Sequence, residues 1–268
     1  MSHNNKYMAL ANALLSFRDK TVLEVGGCTP GWLIKQYDPL RWTSVDLNSS
    51  GVEQSNKENN QPNIQYIYNN ICTYETAGAS YDLAYSINSF EHISDVEVAI
   101  NHIYKLLKND GYLFTVFGPI WSSHVGHHLS IHTKYGEFNF ANNILPPWLH
   151  LKGPDHVYKY ISDRYDNETA QKTVDYIFYS NDLNRLQLKD YKNIIKNSPF
   201  NVLATLYHYA GPMTYQYSRV KEILWVLKKG PVTPQESISC KIKLFYHLFK
   251  ILTRKAMRRR PRTCHNIF

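Results

Sequence analysis

The strongest constraint on the fold is the alternation of short apolar runs with helical segments between residues 20 and 118. The first run, residues 21–25, is rich in β-branched side chains and leads directly into Gly26 and Gly27. A buried parallel strand that enters a glycine turn has this pattern. Four further strands are predicted, at residues 42–45, 64–68, 81–85 and 112–117. This alternation predicts an α/β fold with a doubly wound, mostly parallel sheet.

The segments between these strands predict helices. An amphipathic helix is expected over residues 5–18, a short one over 32–37 and a polar one over 48–61. The clearest helix begins at Ser94 and Asp95, where Ser94 and Glu97 have the spacing of a capping box. It carries one apolar stripe, and we expect it to end at the turn before Gly111.

The rhythm of strands and helices is lost between residues 118 and 181, which are rich in His, Tyr, Trp and Pro. We interpret residues 119–181 as a large insertion after strand five that forms a substrate-binding cap, and residues 1–118 as the core. Residues 182–235 would complete the core sheet, with a helix at 182–196, a strand at 200–207 and a segment at 220–227 that fits either. Residues 236–268 would form a basic C-terminal tail, with an amphipathic helix at 242–257.

The net charge of +8 belongs to this tail. Nine lysines and arginines lie between Lys241 and Arg262 and no acidic residue does, so the rest of the chain is close to neutral. We expect the tail to lie on an anionic membrane surface or to pack against the body or a partner subunit, with RNA contact third. Nucleic acid is not the favoured partner.

The cysteines and the termini point to a reduced compartment. The four cysteines, at positions 28, 72, 240 and 264, show no paired spacing. The N-terminus lacks the pattern of a signal peptide, and no apolar stretch reaches the roughly 18 residues that a membrane span needs. We expect a cytoplasmic protein, with peripheral membrane association through the tail as an option.

Residues near the ends of the first two strands could bind a nucleoside. Gly26 and Gly27 let the backbone turn sharply and approach a ligand closely. Asp46 closes the second strand twenty residues later, and its two carboxylate oxygens can accept both hydroxyls of a ribose. Glu24, just before the turn, could bind a ligand ammonium group or order the turn itself.

The motifs together resemble class I S-adenosylmethionine (SAM)-dependent methyltransferases of the small-molecule type, which have a Rossmann-like fold. The resemblance is carried by residues 22–26, by Asp46, by the strand and Glu91-His92 pair within 81–95, and by residues 106–114, and it covers roughly residues 20–118. It implies SAM as cofactor and S-adenosylhomocysteine as product. The residues it implies in cofactor binding are Glu24, Gly26, Gly27, Cys28, Asp46, Leu47, Asn70, Ile71, Ser86 and Asn88.

Within that set the resemblance implies different contacts. Glu24, Gly26 and Gly27 would line the methionine part and Asp46 would hold the ribose. Asn70, or the adjacent Asn69, would face the adenine, and residues 86–88 would pass beneath the methionine end. The family's Gly-x-Gly-x-Gly loop is altered here, because Cys28 and Pro30 follow Gly26 at its second and third glycine places.

Methyl transfer to a hydroxyl also requires a proton acceptor, most often a histidine. Four histidines lie within nine residues after strand five, and we expect His127 or His128 to be the base, or a clamp on a polyhydroxy or phosphorylated acceptor. A structural role for this cluster is an equal alternative. His92 is expected to orient its loop. The catalytic candidates are His127, His128, His124 and His92.

No metal site is predicted. His124, His128 and His132 would share one face of a helix, but Gly126 interrupts such a helix.

These observations favour an O-methyltransferase for a small or saccharide-type acceptor. The Trp-Ser…Gly-His-His stretch is similar to uncharacterised methyltransferases of cell-surface saccharide clusters, which implies a role in capsule or surface-glycan biosynthesis, on an intermediate that could carry phosphate or phosphoramidate. An RNA or protein methyltransferase, or a non-catalytic domain that has lost the cofactor, are the alternatives.

Overall fold

The computed structural model of the protein describes residues 3–258, and their side chains over residues 5–247. Nine strands are found in this range: β1 Thr21–Val25, β2 Arg41–Asp46, β3 Ile64–Tyr68, β4 Tyr81–Ile87, β5 Leu107–Phe117, β6 Ser130–Thr133, β7 Gly136–Asn139, β8 Asn201–Tyr209 and β9 Val220–Lys228. Seven of them form one sheet in the order β3-β2-β1-β4-β5-β9-β8. The first five run parallel, and β9 is antiparallel to both of its neighbours. The predicted doubly wound, mostly parallel, Rossmann-like sheet is therefore confirmed.

Eight α-helices flank the strands within the described range: α1 His3–Leu15, α2 Gly31–Ile34, α3 Ser49–Glu58, α4 Val96–Leu106, α5 Pro154–Ser162, α6 Asn167–Val174, α7 Leu188–Asn197 and α8 Pro234–Arg258. None of the helices in this range is long and apolar enough to cross a membrane.

The sheet separates two apolar cores. Successive residues of β1 face opposite sides, so Val22 belongs to one core and Leu23 to the other. The core around Leu23 is covered by α4 and α7, and the core around Val22 by α1, α2 and the start of α8. A central strand that is buried on both faces places its carboxyl end at the bottom of a cleft between the two layers of helices, where ligands bind in such sheets.

The clearest predicted helix differs from expectation at both ends. The residue that caps α4 is Asp95, whose carboxylate accepts a hydrogen bond from Val98 N at 2.9 Å, so the predicted capping box on Ser94 is wrong. The helix ends at Leu106, before the predicted turn, because Leu107 already pairs with Tyr81 in the sheet. Asp110 takes the left-handed conformation expected near that turn.

The ambiguous segment at 220–227 is the strand β9, which is hydrogen-bonded to β5 on one side and β8 on the other. The C-terminal helix begins at Pro234, eight residues before the predicted start. Thr233 and Glu236 form a capping box there, because each backbone N–H donates to the other side chain, at 2.8 and 3.2 Å.

The segment after β5 folds around an apolar core of its own. It contains the β6–β7 hairpin, α5 and α6, and its buried centre includes Leu129, Phe138 and Ile161. The domain boundaries predicted from the sequence, and the role of this segment as a cap, stay predictions.

Candidate active site

The turn after β1 is fixed by close contacts that only glycine permits. Gly26 has φ +66°, and its N–H donates to Val45 O at 2.9 Å, which ties the turn to β2. A Cβ at this position would lie 2.4 Å from Oγ of Ser89, in the loop after β4. The carboxyl ends of β1, β2 and β4 therefore meet at Gly26 without space for a side chain.

Glu24, on β1, supports this turn from the interior of the fold. Its side chain is 1% exposed, and it accepts hydrogen bonds from Thr29 N at 3.2 Å, from the Thr29 hydroxyl and from Trp42 Nε1 at 3.0 Å. Burial raises the pKa of the carboxyl, and these hydrogen bonds act in the opposite direction. Of the two roles considered for Glu24, the geometry matches ordering of the turn, because a side chain this buried does not face a ligand.

Asp46 connects the end of β2 to the glycine turn. Its Oδ2 accepts from Gly27 N at 2.5 Å and its Oδ1 from Asn48 N at 2.7 Å, so the carboxylate faces the turn. Cys28 packs its side chain against the apolar core beside α3, and burial next to the carboxylates of Asp46 and Glu24 raises the pKa of its thiol to about 11. Pro30, the N-cap of α2, is exposed.

Leu47 and the loop after β3 extend this edge. Leu47 is 61% exposed, beyond the end of β2. Asn69 N donates to Asp46 O at 3.1 Å, and the side chain of Asn70 accepts from Cys72 N at 2.9 Å. Ile71 is buried in the core beneath them. The loop is thus ordered by its own hydrogen bonds.

The end of β4 lies under the glycine turn. Ser86 is fully buried and donates to Val25 O at 2.7 Å, and Asn88 has φ +54° with its N–H bonded to Val116 O at 2.8 Å. The ten residues assigned to the cofactor are therefore gathered at the carboxyl ends of four adjacent strands. Glu24, Ile71 and Ser86 are buried beneath this edge, Gly27 and Leu47 are exposed, and the other five residues are partly exposed.

The Glu91-His92 pair follows β4 and is held by two distant segments. Glu91 is 3% exposed, and its Oε1 accepts from Gly118 N at 3.0 Å at the end of β5. Burial raises its pKa to about 8. Asn184 fastens the same loop, because its amide donates to Phe90 O at 2.7 Å and to Ile93 O at 3.0 Å.

His92 is the exposed imidazole of the site. Its Nδ1 lies 2.6 Å from Asp182 O, and a carbonyl oxygen only accepts, so Nδ1 carries the proton and Nε2 carries the lone pair. Its ring meets the ring of His128 edge-on, with centroids 5.2 Å apart. The ring is therefore oriented on one side and open on the other.

His127 and His128 are buried, and one ring nitrogen of each is hydrogen-bonded to the backbone. His127 is 1% exposed, and its Nδ1 accepts from Leu129 N at 3.1 Å. His128 donates through Nε2 to Pro119 O. Burial lowers the pKa of both rings, that of His128 to about 4, so both are neutral at physiological pH. His127 therefore presents no accessible lone pair in this geometry, and its expected role as the base stays a prediction.

The remaining histidines complete a packed cluster. His124 is half-buried against Trp148, and burial together with Lys221 lowers its pKa. The segment is folded so tightly that a Cβ at Gly126 would lie 2.3 Å from the carbonyl oxygens of Ile120 and Trp121. Residues 121–127 are turns and His132 lies exposed on β6, so the helical face considered for His124, His128 and His132 does not form.

The structure adds His150 to this cluster, which sequence reasoning missed. Its ring lies 5.4 Å from that of His127, and its Nε2 donates to Trp121 O at 2.8 Å. Nothing in its sequence surroundings pointed to this position, because the contact depends on the fold of the inserted segment. Within residues 3–258, no group of three histidine, cysteine or acidic side chains is arranged to hold a metal ion.

Comparison with known proteins finds a methyltransferase domain in the part of the chain that carries this site. Residues 23–115 match the family model described as a methyltransferase domain. No curated protein matches the sequence. Among solved structures, an S-adenosylmethionine-dependent methyltransferase from Mesorhizobium loti is similar with a TM-score of 0.55 and 14% identity, over 84% of this chain and 97% of that one.

Two further structures share the fold. A proposed S-adenosylmethionine-dependent methyltransferase from Listeria monocytogenes has a TM-score of 0.53 and 13% identity, over 85% of this chain and 99% of its own. A proposed sarcosine dimethylglycine methyltransferase from Galdieria sulphuraria has a TM-score of 0.52 and 13% identity, over 85% of each chain. The matched domain and the motifs at its sheet edge support a class I SAM-dependent methyltransferase with SAM as its cofactor, and the solved structures show that the fold is shared.

Proposed function

We propose that this class I methyltransferase transfers a methyl group from SAM to a hydroxyl group of a small or saccharide-type acceptor. The observation that carries the proposal is the state of His92: an exposed imidazole at the sheet edge, with Nδ1 fixed by Asp182 O and Nε2 left as a proton acceptor. A hydroxyl acceptor needs such a group, whereas an amine with a free lone pair does not.

The residues at the sheet edge fit the cofactor. The turn at Gly26 and Gly27 presents backbone without side chains, and Asp46 keeps a partly exposed carboxylate at the end of β2. Asp46 would hold the ribose hydroxyls and the Gly27 side of the turn the methionine part. When bound, SAM supplies a methyl group made electrophilic by its sulfonium centre.

The chain's own part in the reaction is alignment and proton removal. An acceptor hydroxyl placed against Nε2 of His92 would pass its proton to that nitrogen as its oxygen gains the methyl group. The carbonyl of Asp182 keeps the ring in the tautomer that this transfer requires. His128 packs against the same ring and limits its rotation.

The acceptor class is proposed from the inserted segment. Its tryptophan, serine and histidine stretch resembles uncharacterised methyltransferases of cell-surface saccharide clusters, which supports a role in capsule or surface-glycan synthesis in the cytoplasm. Intermediates that carry phosphate or phosphoramidate belong to this class. Burial lowers the pKa of His127 and His128, which makes them weaker proton acceptors, so these imidazoles suit the wall of a polar site better than its base.

Cofactor binding is the first test. Titration calorimetry with SAM and S-adenosylhomocysteine should show binding by the full chain, weakened at least about tenfold by Asp46→Ala, because the carboxylate would lose two ligand hydrogen bonds. Glu53→Ala changes an exposed carboxylate on the nearby helix α3 and should bind as the unmodified chain does. An unchanged affinity in Asp46→Ala would remove that residue from the site.

Proton removal is tested by turnover. With a panel of monosaccharides and sugar phosphates at saturating SAM, release of S-adenosylhomocysteine should fall about 10²–10⁴-fold in His92→Ala. His132→Ala, an exposed histidine on β6, serves as the matched control and should keep full turnover. Full activity in His92→Ala, or transfer only to amines, RNA or protein, would contradict the proposal.

A further inference from the structure

A cleft of about 500 Å³ opens between the inserted segment and the start of α7. We call it the lysine cleft, and define it by Trp121, Ser122, His150, Lys189, Lys192 and Tyr217. Trp121 follows shortly after the end of β5, so the cleft lies beside the candidate active site. Nothing in the proposed mechanism uses these residues.

The lysine cleft has a positive character. Lys189 and Lys192 are three residues apart on α7, and this spacing places both exposed ammonium groups on one side of the helix. Gln187, at the N-cap of this ten-residue helix, also lines the cleft, but the carboxylate of Asp190 accepts its N–H at 2.8 Å, so the positive charge of the cleft comes from the two lysines. No acidic residue lines the cleft within the described part of the chain. This combination selects anions.

His150 gives the cleft an unsatisfied acceptor. Its ring is 1% exposed at the floor, and its Nε2 proton goes to Trp121 O. Its Nδ1 has no hydrogen-bond partner among the residues that the structure describes. Burial lowers its pKa to about 4, so Nδ1 stays a neutral acceptor at physiological pH. A buried acceptor without a partner is unfavourable, and a ligand hydroxyl could supply the missing donor.

Aromatic rings form the remaining wall. The ring of Trp121 packs edge-on against that of His150 with centroids 4.8 Å apart, and Tyr217 stacks on Trp148 at 5.5 Å. Such rings pack against the apolar face of a sugar ring while hydroxyl groups around them make hydrogen bonds. Ser122 accepts from Leu188 N at 3.2 Å and so fixes the helix start to this wall.

We propose that the lysine cleft binds an anionic sugar, with its phosphate or carboxylate at Lys189 and Lys192 and its hydroxyls at His150. This inference rests on the proposed function, because it makes the cleft the anchor for one end of the acceptor. The cleft and His92 flank one histidine cluster, since His150 contacts His127 and His128 contacts His92. Binding at the remote end would align the hydroxyl that reacts.

Binding can be measured without the reaction. Tryptophan fluorescence and titration calorimetry on the full chain, without SAM, would use hexose phosphates, the matching hexuronates and the neutral parent hexoses. We expect the hexose phosphates and the hexuronates to bind at least about tenfold more tightly than the neutral hexoses. The double change Lys189→Gln and Lys192→Gln should remove this preference, and Lys196→Gln, on the same helix outside the cleft, should keep it.

His150→Phe separates a sugar site from a simple anion site. It should weaken hexose phosphate binding and leave inorganic phosphate unchanged, with thermal unfolding as the check that the chain still folds. Three results would overturn the inference: equal binding of sugars and their phosphates, no effect of the lysine changes, or inorganic phosphate binding as tightly as hexose phosphate. A chain that binds hexose phosphate but never methylates it would contradict the proposed function and keep the cleft.

A separate observation concerns the outer face of α8. Ile238, Ile242, Phe245 and Tyr246 recur at helical spacing and are more than half exposed, Phe245 to 73%. Cys240 and Leu244, on the other face, are buried in the core. The exposed apolar side chains therefore lie on the side of α8 that faces away from the core, and Ile238, Ile242 and Phe245 alone form an apolar surface large enough to need an explanation.

The sequence of this region favours one occupant. Nine lysines and arginines and no acidic residue lie between positions 241 and 262. An apolar helix face beside many cations complements the surface of an anionic bilayer, in which the helix lies in the plane of the headgroups. We infer that α8 docks the protein on anionic phospholipid, independently of the acceptor.

Vesicle co-sedimentation tests this docking. The full chain should bind phosphatidylglycerol-containing vesicles but not pure phosphatidylcholine vesicles, and should detach in about 0.5 M salt. The double change Ile242→Glu and Phe245→Glu should abolish binding, whereas Met213→Glu, an exposed apolar residue elsewhere, should not. Equal binding to neutral vesicles, or a dimer in light scattering that only the double change dissociates, would overturn the inference.

Discussion

Replacing Glu91 by glutamine should remove a specific pH dependence of stability. The carboxyl group is 3% exposed, accepts one hydrogen bond from Gly118 N, and has no partner for Oε2 within the described residues. Burial raises its pKa from 4.5 to about 8. Glutamine keeps the shape and the hydrogen bond but cannot ionise.

The sign and size follow from proton linkage. Because the folded pKa is the higher one, the folded protein holds this proton between pH 4.5 and about 8, while the unfolded chain has lost it. The stabilising contribution of the protonated carboxyl is complete below the unfolded pKa of 4.5 and is fully lost once the pH has risen through the folded pKa of about 8. The loss is about 1.4 kcal/mol per pH unit and about 5 kcal/mol in total.

Guanidinium unfolding between pH 5 and 9 measures this effect. The difference in free energy of unfolding between the unmodified chain and Glu91→Gln cancels the titration of other groups, and it should fall by about 1.4 kcal/mol per pH unit up to about pH 8. Glu97→Gln, at an exposed position on α4, controls for the substitution itself. A difference that does not change with pH would mean that Glu91 is ionised in the fold, and the argument from burial would be refuted.

Three further changes test the local structure by the same unfolding assay. Gly26→Ala should lower the free energy of unfolding by about 1–2 kcal/mol because of the positive φ, and by about 1–3 kcal/mol more because the new Cβ displaces Ser89. Gly78 also has a positive φ but lies in open space, so Gly78→Ala should lose only the first of these contributions. Equal losses in the two variants would contradict the close contact at Gly26. Asp95→Ala removes the helix cap and should lower the free energy of unfolding by about 1 kcal/mol. A larger loss in Ser94→Ala would support the predicted capping box on Ser94 instead. Thr29→Val removes the hydroxyl that donates to the buried carboxylate of Glu24 but keeps the backbone donor of residue 29, and it should lower the free energy of unfolding by about 1.5–3 kcal/mol; an unchanged midpoint would show that the hydroxyl contributes nothing.

Much of the fold was predictable because its strands are locally encoded. The strands at 21–25 and 64–68 match residue for residue, since each is a β-branched run bounded by turn residues. The segment at 220–227 could not be assigned, because a continuous apolar run suits a buried helix and a buried strand equally until its neighbours in the sheet are known. The start of α8 did have a local signal, Thr233-Pro-Gln-Glu236, which sequence reasoning overlooked.

The site was predictable in part for the same reason. The positions of Gly26, Gly27 and Asp46 follow from strand ends and their spacing along the chain. The proposed base could not be identified in this way, because the tautomer of His92 depends on Asp182, which lies ninety residues further along the chain. The contribution of Asn184 to the same loop is equally remote.

The contrast between His92 and the Gly-His-His stretch has a general physical cause. His127, His128 and His150 are packed together, and this packing removes water, lowers their pKa and engages one nitrogen of each ring with a backbone group. A proton acceptor needs one nitrogen fixed and the other open to the substrate. His92 combines the two because it lies at the rim of the cluster, where the cluster supplies orientation and the solvent side supplies access. A dense group of histidines therefore favours a structural wall, and the base that we propose is the histidine left exposed at its rim.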